Sequence, residues 1–309
     1  MTGATRAGAG DRDRDRPALV SLLPGAVWLS VFFLVPLAGI LVTSFLAARP
    51  GGGVDPTPSV EAWRLLREPV YARVLWRSVG YAAAATGLCL AFGYPIAVLL
   101  ARLTGRARNV LLLLLLVPLW MSFLLKAYAW MHLLGDEGLL NRGLAALGLV
   151  DEPVRILYTP ASVLLGYVAG YLPFMVLPIY VSLERLDPDL VDAAMDLGAS
   201  RLYAFIHVTT RLALPGILAG SVLVFVPTLG EFVIPDVLGG GKVYLLGNLV
   251  KDQYLGTTPH WPLGAALAAV TIAVALAAVL ATQAAGRRAR VRVRASAEAE
   301  EAEEARHAA

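Results

Sequence analysis

Charge is what this sequence has least of. Of its 309 residues, 16% are Asp, Glu, Lys or Arg, against roughly 25% in an ordinary soluble domain. The scarcity is concentrated, because residues 17–48, 78–101, 109–125, 156–183, 212–230 and 253–286 carry none at all. Cysteine is nearly missing too. The single Cys89 lies inside an apolar run and excludes an internal disulfide framework. Four histidines without a second ligand at metal spacing give no reason to expect a metal centre. No catalytic dyad or nucleophile elbow is visible, which argues against a membrane-embedded enzyme. Gly239-Gly240-Gly241-Lys242 hints at a phosphate loop, but Asp236 stands where the first glycine is required and Val243 where Ser or Thr is required. The chain is therefore expected to hold no ATP site and no cofactor of its own. Nucleic acid is not an expected partner.

What the sequence does have is apolar length. Hydrophobic residues make up 58% of the chain, and mean hydropathy is +0.67. A bilayer-crossing helix needs about 20 apolar residues. Four of the charge-free runs reach that length, and the other two reach it when extended past Lys126 and Glu231. The expectation is an all-α polytopic membrane protein with about six transmembrane helices, near 20–46, 79–101, 110–133, 161–183, 213–235 and 263–285. Together these form one transmembrane domain over 17–286, between a polar tail at 1–16 and a charged tail at 287–309. The run after Arg16 is too long for a cleavable leader and reads as span one. Spans in lipid must satisfy their backbone internally, which favours helices here over a barrel of alternating strands. Pro36, Pro95, Pro118, Pro173, Pro178 and Pro227 fall inside them and are expected to kink them.

Orientation follows from the basic residues. The side that holds both termini carries sixteen Lys and Arg, and the opposite side nine. Both termini are thus expected in the cytoplasm, although the five arginines of the 47–78 loop pull the other way. The Arg287–Arg294 cluster is read as the anchor of span six, and the Ala/Glu-rich 295–309 as a frayed helix or disordered.

One polar stretch, 184–212, is too well punctuated to be a linker. Asp187 is a good N-cap with Pro188 at the first helical position. Asp189 and Asp192 lie where a helix N-terminus favours negative charge. Gly198 suits the left-handed residue that ends such a helix, and Ser200 can cap a second one carrying Leu202, Phe205 and Ile206 on one face. A helix–Gly–helix elbow that exposes an apolar edge outside the membrane needs a partner. His207 is read as a surface or packing residue.

Asp192-Ala193-Ala194, Gly198-Ala199, Phe205, Val208 and Leu214-Pro215-Gly216-Ile217 together resemble the EAA loop of binding-protein-dependent ABC importer permeases. The resemblance implies a type I importer bundle whose elbow is the coupling helix, seated in a groove of a partner ATPase. It implies that Asp192, Ala193, Ala194, Gly198, Ala199, Phe205, Pro215 and Gly216 carry that coupling. It also implies a second related permease subunit, two ATPase subunits and an extracytoplasmic solute-binding protein, in a bacterial plasma membrane. Two positions depart from the family pattern. Asp192 stands where Glu is usual, and Thr210-Arg211 where Leu-Pro is common, so the exit from the second helix is expected to differ.

Glu231 is the anomaly of the fifth run. A charge near bilayer depth is costly unless paired or wet, and it marks a pathway by default. The alternative is a structural acid, paired with Lys126 or sitting in interfacial water. Pro227, Gly230 and Pro235 interrupt the helix around it. The stretch Gly230–Gly240, with Trp261-Pro262-Leu263-Gly264, resembles the spermidine/putrescine permeases. A polyamine is a linear polycation, and carboxylates (Glu231, Asp236) and aromatics (Tyr171, Trp120, Phe232) would suit its ammonium groups by charge and cation–π contact. For those aromatics, helix packing or an interfacial belt is the competing role. Gly166/Gly170 and Gly216/Gly220 have the spacing of close helix packing. The competing readings are an ABC permease for a different small solute, cationic or amino-acid-like, and a secondary transporter driven by an ion gradient through Glu231. The latter would leave the elbow without a role, and no inverted repeat is detectable.

Overall fold

The computed structural model describes residues 23–187 and 189–308, with side chains through Arg288. The expected N-terminal tail and the Pro188 position lie outside the described residues. The chain divides into two compact units, Met1–Leu66 with Gln253–Ala269, and Arg67–Asp252 with Val270–Ala309.

In the first unit, helix α1 covers Leu23–Thr43. Pro36 has no N–H to give, and just before it the ladder slips by one residue, so that the Val35 amide bonds to the Ser30 carbonyl in a π-turn over Ser30–Leu34. Strands β1 (Leu46–Ala48) and β2 (Val54–Pro58) pair antiparallel around Gly51, Gly52 and Gly53, all at positive φ. Helix α2 (Glu61–Leu65) follows, with Phe45 stacked on Trp63 at 5.4 Å. Much of the expected 47–78 loop is therefore ordered secondary structure.

The second unit opens with α3, Pro69–Arg102, 34 residues long. Pro69 in its first turn starts the helix well ahead of residue 79 and draws Arg73 and Arg77 into the helix. The expected span 110–133 is not one rod. Helix α4 (Gly105–Leu116) passes through a tight turn over Val117–Trp120, with Pro118 in its first turn, and α5 (Phe123–Leu134) follows. The two arms are bent by 104°, because the helix is interrupted at Pro118 and Met121 is extended. Helix α6 is Leu139–Ala146. Helix α7, Pro160–Glu184, begins with a Thr159/Ser162 capping box. Then come α8 (Asp189–Asp196), α9 (Arg201–Leu212), α10 (Leu214–Gly230), α11 (Val233–Gly239) and α12 (Leu246–Leu255). The expected span 213–235 stops at Gly230, and α12 lies where only loop was expected.

Helix α13, Trp261–Ala308, continues through the C-terminal tail. Beyond Gly286 that tail has neither Gly nor Pro, and its Ala, Glu and Arg are strong helix formers. Among the described residues, four helices are long and apolar enough to cross a membrane, and up to six spans result if each bent pair is one.

Helix α7 is the centre of the second unit. It packs against α3, α10 and α11, and buries Tyr167, Met175, Val176 and Ile179 completely. Glycines set the distances. A Cβ on Gly220 would lie 2.8 Å from the Met175 sulfur, and one on Gly170 3.1 Å from the Phe123 ring. Both glycine pairs flagged in the sequence are thus close-packing positions within the chain.

Candidate functional site

The 184–212 elbow is built by local capping. The Asp187 carboxylate accepts the Asp189 amide, and the Leu190 amide bonds to the Asp187 carbonyl. At the other end of α8, Gly198 N–H bonds to Met195 O and Ala199 N–H to Ala194 O, with Gly198 at φ +91°. That pair of bonds is a Schellman motif, which needs a left-handed residue at the glycine. Ser200 then caps α9 by accepting the Tyr203 amide at 3.2 Å. Asp192, Ala193 and Ala194 lie on α8, and Ala199 lies between the two helices. The apolar edge stays uncovered, with Leu197 90% and Leu202 69% exposed and Ile206 and Leu190 also open. The stretch also carries Arg185, Asp187, Asp189, Asp192, Asp196 and Arg201, a density of charge unsuited to lipid.

Phe205 opens a π-turn, Phe205–Thr209, inside α9. This is where the exit from the elbow changes character. Pro215 sits in the first turn of α10. Gly216 has a packing role of its own: a Cβ there would collide with the Pro178 carbonyl and lie 2.5 Å from Ser182 Oγ and 2.9 Å from Ile179 Cα. At the end of α7, Glu184 Oε1 accepts Tyr180 at 2.6 Å and pairs with Arg108 at 3.0 Å.

The second locus is the break between α10 and α11. Glu231 is extended there and caps α11 with its own side chain, Oε1 accepting Val233 N–H at 2.7 Å and Ile234 N–H at 3.4 Å. Oε2 accepts the Tyr171 hydroxyl at 3.3 Å. Tyr171 is 3% exposed and lies 5.1 Å from Phe123. Lys126 stands 3.9 Å over the Phe123 ring, and among the described residues no ion pair joins it to Glu231. The acid is held by amides and a phenol rather than by the lysine.

Asp236 is engaged elsewhere. Its carboxylate pairs with Lys251 at 2.6 Å and accepts Asn248 Nδ2. The hydrogen bond to Asp236 holds the Lys251 ammonium above its ordinary pKa. Phe232 lies 5.8 Å from Lys251 and is partly exposed. The structure thus brings Glu231 to Tyr171, and Asp236 to Phe232 through Lys251. Trp120 is 80% exposed on the α4–α5 turn. No ring contact or hydrogen bond among the described residues links it to the other four. A cavity of about 580 Å³ opens beside Asp236, between Tyr128, Met131, Tyr158, Gly240 and Lys242.

Sequence reasoning missed the residues that hold this break in place. Asn248, 1% exposed, donates to the Phe232 carbonyl as well as to Asp236 and accepts the Leu245 amide. Gly247 lets α12 press against the opened backbone, where a Cβ would lie 2.6 Å from Gly230 O and 2.7 Å from Glu231 O. Ser78 of α3 accepts the Leu246 amide at 2.7 Å. These groups become meaningful only once α12 is folded onto the break.

Comparison with known proteins agrees with this architecture. Residues 93–291 match the family model of the binding-protein-dependent transport system inner membrane component. The spermidine/putrescine transport system permease protein PotB of Escherichia coli (strain K12) is 43% identical over 239 residues, 77% of this chain and 86% of that protein. PotB of Haemophilus influenzae is 40% identical over 242 residues, 78% of this chain and 84% of that protein. Among solved structures, a bacterial ABC transporter involved in the import of the acidic polysaccharide alginate aligns with TM-score 0.61 at 21% identity, covering 90% of this chain and 97% of that one. That likeness speaks to the fold, while the family match and the identity to the permeases carry the assignment: the chain belongs to the binding-protein-dependent transport system inner membrane components.

Proposed function

We propose that the chain is the permease subunit of an ATP-driven importer of polyamines, working with a second related permease subunit, two ATPase subunits and an extracytoplasmic solute-binding protein. The observation that carries the ATPase half of this reading is the elbow, a capped helix–Gly–helix unit whose apolar edge is exposed among charges. An edge of that kind calls for a protein groove rather than lipid. Both termini and the elbow are cytoplasmic in this reading, in keeping with the excess of Lys and Arg on their side. ATP and its metal ion belong to the partner ATPase. Closure of the ATPase would move the elbow as a rigid lever, since α8 and α9 are each capped and joined by one left-handed glycine.

Polyamine as cargo rests on the identity to the spermidine/putrescine permeases and on the carboxylate at the break. Two backbone amides and one phenol hold Glu231 in position, and among the described residues no lysine forms an ion pair with its carboxylate. A passing ammonium would take the place of the Tyr171 hydroxyl on Oε2. Tyr171 holds that oxygen, and Phe232 follows Glu231 directly in the chain. Asp236, already neutralised by Lys251, contributes less charge and more shape.

Reconstitution of the subunit with its partner permease, ATPase and binding protein in liposomes tests both halves. Spermidine uptake is expected only with ATP inside the ATPase compartment. Uptake driven by an ion gradient without the ATPase would replace this reading with a secondary transporter. Glu231→Gln keeps an oxygen to cap α11 and removes the charge. It is expected to lower spermidine uptake about tenfold, the weight of one partly desolvated charge contact near 1.4 kcal/mol. Unchanged uptake and affinity in Glu231→Gln would leave the residue a helix cap and nothing more.

A further inference from the structure

The lever must grip the bundle somewhere, and the departure at Thr210 lies where it does. Thr210 Oγ1 donates to the Phe205 carbonyl at 3.0 Å, five residues back, which is the spacing of the π-turn Phe205–Thr209. A π-turn inside an α-helix is an energetically poorer arrangement that recurs at functional positions. With its proton committed to Phe205, the Thr210 hydroxyl has lone pairs to offer. Tyr94 of α3 meets it at 2.7 Å, 116 residues away in sequence, and with Thr210 donating to Phe205 the Tyr94 hydroxyl can supply the proton of that bond. The Tyr94 ring also meets Phe205 edge-on, with centroids 5.8 Å apart. Two residues of the π-turn region are thus held by one side chain of the second long helix.

Tyr94 is placed to pass on what it feels. It is followed by Pro95, which lacks the N–H that would close the ladder and makes this turn of α3 easier to bend. It is preceded by Gly93, where a Cβ would lie 3.1 Å from Met175 and 3.3 Å from Val176, so α3 is keyed onto the centre of α7 at the same level. We propose that Tyr94, Phe205 and Thr210 form the joint through which movement of the α8–α9 elbow is transmitted to α3, with Tyr94 as a positioning residue for transport. This inference rests on the importer reading above, since it needs an elbow moved by an ATPase. It adds the point at which that movement enters the transmembrane helices.

The test uses the full importer complex in liposomes, with ATP hydrolysis and spermidine uptake measured on the same sample. Thr210→Val keeps the shape and removes the acceptor, and Tyr94→Phe keeps the ring packed on Phe205 and removes the donor. Each is expected to lower the uptake obtained per ATP hydrolysed about fivefold, the equilibrium weight of one lost hydrogen bond, while the ATPase rate stays within about twofold. Thr210→Ser is expected to restore coupling, and the double variant to be no worse than the poorer single one, because both remove the same bond. The joint is overturned if Thr210→Val couples like the unsubstituted complex, if hydrolysis falls in parallel with uptake, or if the two losses multiply. An unsubstituted complex that imports nothing with ATP would instead overturn the importer reading itself.

Discussion

Gly216→Ala is expected to destabilise the subunit, whereas Gly143→Ala stabilises it. Both glycines lie in helices, α10 and α6, where exchange for alanine ordinarily gains about 0.5–1 kcal/mol by reducing the freedom of the unfolded chain. Space decides the difference. Nothing lies within 4 Å of a Cβ on Gly143, whereas on Gly216 it would run into the Pro178 carbonyl, with Ser182 Oγ at 2.5 Å and Ile179 Cα at 2.9 Å. Two of those three obstacles are backbone and have no rotamer to escape into. Helices α10 and α7 must separate, and with them the contact that buries Ile179 and Met175. Overpacking costs about 1–3 kcal/mol in forgiving cores, and a clash of backbone against backbone belongs at the upper end. The net loss after the alanine gain is about 2 kcal/mol, a shift of roughly thirtyfold in the folding equilibrium. Thermal unfolding of the detergent-purified subunit checks it. A melting point for Gly216→Ala at or above that of the unsubstituted protein would remove the close approach from the account.

The glycine illustrates where sequence reading succeeds and where it stops. The spacing of Gly216 and Gly220 announced a close approach, but not that the surface approached was the Pro178–Ser182 turn of α7. The elbow was legible almost in full, because its determinants are local. Gly198, Ser200 and Asp187 each act on backbone groups within a few residues of themselves, so the order of residue types already carries the geometry. Glu231 was legible as an anomaly, since a carboxylate in an apolar run is conspicuous. That it caps α11 was not, because the cap depends on the helix stopping at Gly230 and restarting at Val233. Pro118 hinted at a kink in the third run, but a proline alone does not distinguish a slight bend from the 104° break observed. Asn248, Gly247 and the Tyr94–Thr210 bond were invisible for a plainer reason. Each is an agreement between segments far apart in the chain, and no pattern within either segment reports it. Helix α12 was missed because ten residues with several polar ones among them look like a loop until Asn248 and Ser78 fasten its start.

Gly198→Val is expected to abolish coupled transport while leaving the transmembrane helices folded. Gly198 sits at φ +91°, with nothing within 4 Å of a Cβ built on it, so the obstacle is conformation rather than space. A left-handed backbone costs an L-residue about 1–2 kcal/mol, more for a β-branched side chain crowded against its own carbonyl. Valine therefore drives the chain out of the Schellman turn and releases the two amides of Gly198 and Ala199 from Met195 and Ala194. Helices α8 and α9 lose their fixed angle, and a lever with a loose elbow transmits no stroke. The damage is local, because Leu197 and its neighbours are exposed and support no part of the α3–α7–α10 core. In the reconstituted importer, spermidine uptake is expected to fall by more than tenfold, while the melting point of the isolated subunit moves little and the ATPase either idles uncoupled or binds more weakly. The series at this position sharpens the test. Gly198→Asn, which tolerates the left-handed region through its short polar side chain, should retain most of the uptake. Gly198→Ala should lie between, and Gly198→Val should be lowest. Uptake that followed side-chain volume instead, with Asn as harmful as Val, would show that the residue is needed for close contact with the ATPase groove and not for the turn.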